Sequence, residues 1–314
     1  MLQNALLLVP LLVLVCCSQQ NRPIIGIMTQ PREDHPEYGS YLVASYVKLF
    51  ESAGARVIPI HFDSTKEELL HIFNSINGLV FPGGGSFIDY GHDLFFPNSM
   101  YLYNLTIEAN DKGDYFPVWG TCLGFEMLHI FASEIFDRTV LSSYDAWDIS
   151  YPLVWSQGHK ESKMFSGLLQ DHRVFDDLSK YNSTMNYHKF GVSPETYKTN
   201  TKLNEYFKIL ATNSDRQGKE FISIVESKKY PIYAVQFHPE WPIFEWEESA
   251  NVAHFQEAVR GNSHFGRFFV NECRKNNHQF ADKHDERRRL IYNYKADFTV
   301  TTTGDVQTYY FPKK

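Results

Sequence analysis

Cysteine is scarce: the 314-residue chain carries four, and two of them, Cys16 and Cys17, sit side by side near the N-terminus. A disulfide framework is thereby excluded, since a fold stapled by bridges needs several, and a chain of this length buries a core without them. Positive charge is also short. The formal net charge is −7, and the one notable basic block, Arg287-Arg288-Arg289, follows Asp285 and Glu286 and reads as a solvated helix face. The sequence thus offers no basic field for nucleic acid. No apolar run reaches the ~20 residues that span a bilayer. Repeats, low-complexity tracts and linkers are missing, which leaves residues 22–314 as a single domain. The histidines are scattered, none at a zinc spacing from Cys122 or Cys273, so neither a metal nor a cofactor is expected. His254 and His264 read as ordinary surface or helix-end residues.

The first segment, residues 1–18, has no charged side chain, an apolar stretch from Ala5 to Val15, and small residues at Cys16-Cys17-Ser18. It reads as a secretory signal peptide that is removed, although its n-region lacks Lys and Arg. Removal leaves Cys122 and Cys273. A bridge between them stays open at this stage and would consume the nucleophile argued for below. The sequons Asn104-Leu-Thr106 and Asn182-Ser-Thr184 fit glycosylation during passage through the secretory pathway.

Along the rest of the chain, short β-rich runs alternate with helical ones. Ile24–Met28 is a continuous apolar strand. Ser40 is expected to cap a helix carrying Leu42, Val43, Tyr46, Val47 and Phe50, which Gly54 follows. Strands are expected at 57–60, 78–81 and 115–119, with a helix from Thr65 to Phe73. Strands apolar on both faces belong in a parallel sheet covered by helices, so the fold class is doubly wound α/β. Periodicity is poor from Ser142 to Tyr197. Strands return at 207–211, 221–225 and 233–237, followed by a helix over 263–275 with Phe265, Phe268, Phe269 and Cys273 inward.

Gly120-Thr-Cys122-Leu-Gly124 follows the apolar stretch 115–119, and the apolar spacing of Phe125, Leu128, His129, Phe131 and Ala132 continues it as a helix. A Gly-x-nucleophile-x-Gly turn between strand and helix reads as a nucleophile elbow. The first free N–H groups of that helix point back at the sulfur, a setting that favours a thiolate. Pro82-Gly83-Gly84-Gly85 ends another strand, and His238-Pro-Glu240 ends the last. The residue before a proline is extended, and positions i and i+2 of an extended chain project to one side, so Glu240 can lie beside the His238 ring. A thiol, a glycine-rich strand end, and a histidine with an orienting acid are the parts for acyl transfer through a thioester. In that reading Cys122 attacks, His238 moves the proton, and Glu240 orients His238. The N–H of Leu123 with that of Gly84 or Gly85 receives the oxyanion. The aromatic segment Trp241 to Trp246 reads either as a pocket wall or as a packed loop.

Pro82-Gly-Gly84, Gly120-Thr-Cys-Leu-Gly124 and Gln236-Phe-His-Pro-Glu240, in that order, resemble the class I glutamine amidotransferase superfamily. Within it, Phe116 to Glu126, Ser45-Tyr-Val-Lys48, Glu51 to Val57, Asn186-Tyr-His-Lys189 and Phe269-Val-Asn-Glu272 are similar to the γ-glutamyl hydrolases. The resemblance implies a flavodoxin-like α/β fold. It also implies a cysteine hydrolase that cleaves folate and antifolate poly-γ-glutamates, is secreted and lysosomal, and works as a homodimer. It places His188 at the active site and makes Tyr46, Glu126 and Gln236 substrate contacts; Tyr46 reads equally well as a core residue of the first helix. Glu126 stands where many amidotransferases carry Gln. Another γ-glutamyl or glutamine amidase of this fold, and a secreted glycoprotein that only binds, are the alternatives.

Overall fold

The computed structural model describes residues 21–32, 38–168 and 172–313, so the proposed signal segment lies outside the described residues. An eight-stranded sheet organises the chain, in the order Arg56–Ile60, Ile24–Met28, Gly78–Phe81, Val118–Thr121, Ile232–Val235, Glu220–Ser227, Phe207–Ser214, Val154–Trp155. The first five strands are parallel, and the last three pair antiparallel. This is the expected α/β class, mostly parallel and covered on both faces.

Alternation along the central strands feeds two cores. Leu79, Phe81, Val118 and Ile232 pack with the helices Lys66–Phe73, Phe95–Asp111 and Leu123–Ser133. Val80, Trp119, Tyr233 and Val235 pack on the other face with Ala44–Ser52 and Gln256–Cys273. Both faces of each strand are therefore removed from water, which is what drives a parallel sheet to be covered by helices. Thr65 caps its helix, accepting the Glu68 N–H at 3.2 Å. Among the described residues no helix is long and apolar enough to cross a membrane.

Three local expectations are corrected. Ser40 caps nothing: Tyr38–Val43 is a strand, and the helix begins at Ala44. That strand pairs with Gln307–Pro312 from the far end of the chain, a partner that no local pattern announces. The strand before the elbow is Val118–Thr121 rather than 115–119. The last long helix starts at Gln256, and its first turns are buried through Ala258, Gly261 and Asn262. Small and polar residues fill that interface because Gly261 faces the Leu178 side chain and Asn262 donates to the Ser183 carbonyl at 2.7 Å. His264 is consequently buried on this helix, where it meets the Met164 carbonyl at 2.9 Å, and is not a surface residue.

The stretch without periodicity contains an antiparallel pair, Ser142–Tyr151 with Thr184–Gly191. Two register shifts interrupt this ladder, so inward and outward positions do not alternate cleanly. An isolated bridge ties Met185 to His238, whose N–H donates to the Met185 carbonyl at 2.8 Å. The pair thus lies against the carboxyl ends of the central strands, where open α/β sheets carry their sites. Arg287, Arg288 and Arg289 lie on the short helix Lys283–Arg289; Arg288 and Arg289 pair with Asp285, and Arg289 also with Glu68.

Candidate active site

Cys122 joins the strand Val118–Thr121 to the helix Leu123–Ser133 with φ +51° and ψ −104°, a conformation that costs a non-glycine residue energy. The surroundings hold it there. Its N–H donates to the Val235 carbonyl at 2.9 Å, and its own carbonyl accepts the Glu126 N–H at 3.0 Å. The flanking glycines are steric requirements: a Cβ on Gly120 would come 2.7 Å from the Gly124 carbonyl oxygen, and one on Gly124 would collide with the Phe81 carbonyl. Cys122 and Cys273 are both free, so no bridge consumes the thiol.

His238 stands over the elbow. Its Nδ1 lies 2.7 Å from Glu240 Oε1 and 3.2 Å from the Tyr46 hydroxyl. Its Nε2 is buried without a hydrogen bond of normal geometry, and the Cys122 sulfur is near enough to couple to the ring electrostatically. Burial by itself pushes the imidazole pKa down; the Glu240 and Cys122 charges outweigh it and hold the ring well above its ordinary value. Glu240 is completely buried, which fixes its partner tightly. A thiol, an imidazolium and an orienting carboxylate in this arrangement can form and resolve a thioester.

The N–H groups of Leu123, Gly84 and Gly85 find no acceptor among the described residues, and all three residues border the thiol. The glycine loop is braced by Gln30, whose Nε2 donates to the Gly83 carbonyl at 2.6 Å and whose Oε1 accepts from Ser86 Oγ at 2.7 Å. Tyr46 accepts the Gly83 N–H at 2.9 Å.

Two arms meet at Cys122. The larger, about 500 Å³, contains His238 and Tyr46, the aromatic side chains of Trp147, Tyr187 and Trp241, and the carboxylates of Asp148, Glu247 and Asp305. Trp241 is therefore a pocket wall, whereas Trp246 is exposed and stacks on His254. The smaller, about 170 Å³, runs past Leu123, Glu126 and His188 to Arg138 and Lys189. A depression of about 710 Å³ beside Asn104 contains none of these groups.

The remaining expected residues divide. Glu126 lines the smaller arm, and burial pushes its carboxyl up to about 7 against the lowering effects of Gln236 and Arg138. Gln236 lines neither arm; it reaches Glu126 Oε1 at 3.3 Å. His188 lines the smaller arm, but its Nδ1 lies 2.8 Å from the Phe190 carbonyl and its Nε2 3.2 Å from Asn186 Oδ1. Burial pushes it down to about 3, so it stays neutral, and it can donate to only one of these two acceptors on its own strand. Sequence reasoning missed Gln30, Trp147, Arg138, Lys189 and the wall formed by Val300, Gly304 and Asp305. Lys189 belongs to the Asn186-Tyr-His-Lys189 motif and was within reach; the others lack a local signal.

The chain is similar to known proteins over most of its length. The family described as glutamine amidotransferase class-I matches residues 36–248. Gamma-glutamyl hydrolase B of Dictyostelium discoideum is 42% identical over 295 residues, covering 93% of this chain and 83% of that protein. Gamma-glutamyl hydrolase of Homo sapiens is 40% identical over 294 residues, covering 92% and 90%. Probable gamma-glutamyl hydrolase 3 of Arabidopsis thaliana is 33% identical over 306 residues, covering 92% and 84%. With the elbow cysteine and the strand-end His238 and Glu240 in place, the chain belongs to the γ-glutamyl hydrolases of the class-I glutamine amidotransferase family.

Proposed function

We propose that this chain hydrolyses the γ-glutamyl bonds of folate and antifolate poly-γ-glutamates through a thioester on Cys122. The observation that carries the mechanism is His238, held by Glu240 at 2.7 Å and electrostatically coupled to the thiol of the elbow. The Cys122 sulfur attacks the γ-carbonyl carbon, and the carbonyl electron pair moves to oxygen, which the N–H groups of Leu123 and of Gly84 or Gly85 receive. As the intermediate collapses, the C–N bond breaks and the His238 imidazolium gives its proton to the leaving nitrogen. Water then attacks the thioester while His238 takes its proton. The C–S bond breaks, releasing the γ-carboxyl product and the thiol.

The raised His238 pKa keeps the ring charged through acid and neutral pH, so the leaving-group proton is in place under acidic conditions. That suits a secreted and lysosomal protein whose first 18 residues direct it to the export pathway. Asn104 and Asn182 are exposed, which supports glycosylation at both. The family resemblance supports a homodimer, which sedimentation equilibrium tests. The test of activity is incubation with pteroyl-tri-γ-glutamate and chromatography of the products with time. Release of glutamate or glutamyl peptides supports the reading, and an unchanged substrate contradicts it.

A further inference from the structure

We infer that Arg138 and Lys189 form the subsite for the α-carboxylate of the γ-glutamyl residue whose side-chain carbonyl Cys122 attacks. The inference rests on the γ-glutamyl reading above and adds which residues select that group and which way the chain lies in the cleft.

The smaller arm opens at Cys122 and at the N–H groups of Leu123 and Gly84, and Arg138 and Lys189 line it. At about 170 Å³ it has room for the side of the donor glutamate that bears its α-carboxylate. Both cations lack an acidic partner: among the described residues no carboxylate stands within ion-pair distance of either. Aromatic faces position them instead. The Arg138 guanidinium lies 5.4 Å from the Phe190 ring centre, and the Lys189 ammonium 4.9 Å from that of Trp147. Arg138 is further fixed at the head of a short 3-10 turn, where Asp137 uses its carboxylate to accept the Thr139 N–H at 2.7 Å. The acid that feels Arg138 from inside the arm is Glu126, which burial pushes up to about 7 and so keeps neutral in acid.

The other arm has the opposite character, with Asp148, Glu247 and Asp305 on its walls. A poly-γ-glutamate carries one α-carboxylate per residue. Of these, the one on the residue whose carbonyl faces Cys122 meets its complement in the cationic arm, where a guanidinium and an ammonium supply charge-assisted donors. The donor residue therefore lies with its α-carboxylate toward Arg138 and Lys189 and its γ-carbonyl at Cys122.

The test compares two substrates, pteroyl-di-γ-glutamate and its analogue in which the α-carboxylate of the donor glutamate is a carboxamide. Each is offered to the full chain and to Arg138→Gln, Lys189→Gln and the double variant. The wild-type protein is expected to prefer the carboxylate in kcat/KM on the order of 10- to 100-fold, mostly through KM. The double variant is expected to lose most of that preference, its kcat/KM falling much further on the carboxylate than on the carboxamide, and circular dichroism checks that it folds. Wild-type discrimination retained in the double variant would overturn the assignment, as would equal loss on both substrates or no discrimination by the wild-type protein. If the wild-type protein cleaves neither substrate, the γ-glutamyl reading itself fails, and this inference with it.

Discussion

The Tyr46 hydroxyl stands 3.2 Å from Nδ1 of His238 and at the same time accepts the Gly83 N–H at 2.9 Å. One side chain thereby ties the proton-transfer histidine to the loop that offers Gly84 and Gly85 to the oxyanion. Burial, followed by the nearby charges of Glu240 and Cys122, holds the Tyr46 phenol well above its ordinary pKa, so it stays protonated. Tyr46→Phe keeps the ring and removes both contacts. The expected result is a kcat lower by about tenfold, the size of one hydrogen bond, with KM changed by less than about twofold. Steady-state kinetics at saturating substrate decide it, and an unchanged kcat contradicts the link.

His238→Asn removes the proton carrier, whereas Glu240→Ala removes only its support. The first is expected to lower kcat by on the order of 10³ or more, and the second to retain clearly more activity. Glu240 is wholly buried against His238, so both variants need a folding check by circular dichroism. Equal or reversed losses in folded variants mean that acid and base are misassigned.

The elbow was legible because its requirements are local: two glycines close together, and an apolar strand before and helix after. His238 and Glu240 were legible for the same reason, since i and i+2 in an extended segment share a side. The walls of the cleft were not. Val300, Gly304 and Asp305 border the larger arm because Gln307–Pro312 pairs with Tyr38–Val43, a contact between distant parts of the chain. The same pairing turns residues 38–43 into a strand where the local pattern reads as helix. Trp147 and Tyr187 come from the ladder whose register shifts erase its alternation. His264 was misread as exposed because the early turns of its helix are buried by Ala258, Gly261 and Asn262, which carry no apolar stripe.

Glu126 sets a pH-dependent penalty. Its folded pKa, pushed up to about 7 by burial, lies above the ~4.3 of an unperturbed glutamate. Its contribution to stability is therefore fully present below about pH 4 and lost as pH rises through 7. Glu126→Gln has no such loss. Denaturant melts across pH 4 to 8 are expected to show the variant gaining on the wild-type protein with pH, by up to roughly 3 kcal/mol. A difference independent of pH contradicts the raised pKa.

Glu245 fastens the C-terminal wall. Its Oε2 accepts the Val306 N–H at 2.7 Å, beside the Gly304 and Asp305 that border the larger arm. Glu245→Ala is expected to raise KM several-fold with little change in kcat, and to speed hydrogen exchange at the Val306 amide. The loss corresponds to about 1–3 kcal/mol of local stability, since the partner amide is left unsatisfied. Exchange at the wild-type rate contradicts a fastening role.

The chemistry turns on a covalent acyl group on Cys122, which rapid-quench mass spectrometry detects. The protein is mixed with pteroyl-tri-γ-glutamate, quenched in acid within the first turnovers, digested and mapped. A peptide containing Cys122 is expected to be heavier by the acyl portion of the substrate. That adduct should disappear with hydroxylamine and be missing from Cys122→Ala, which should also retain less than about a tenth of wild-type kcat. Full turnover by Cys122→Ala, or an adduct that maps to a different residue, contradicts it.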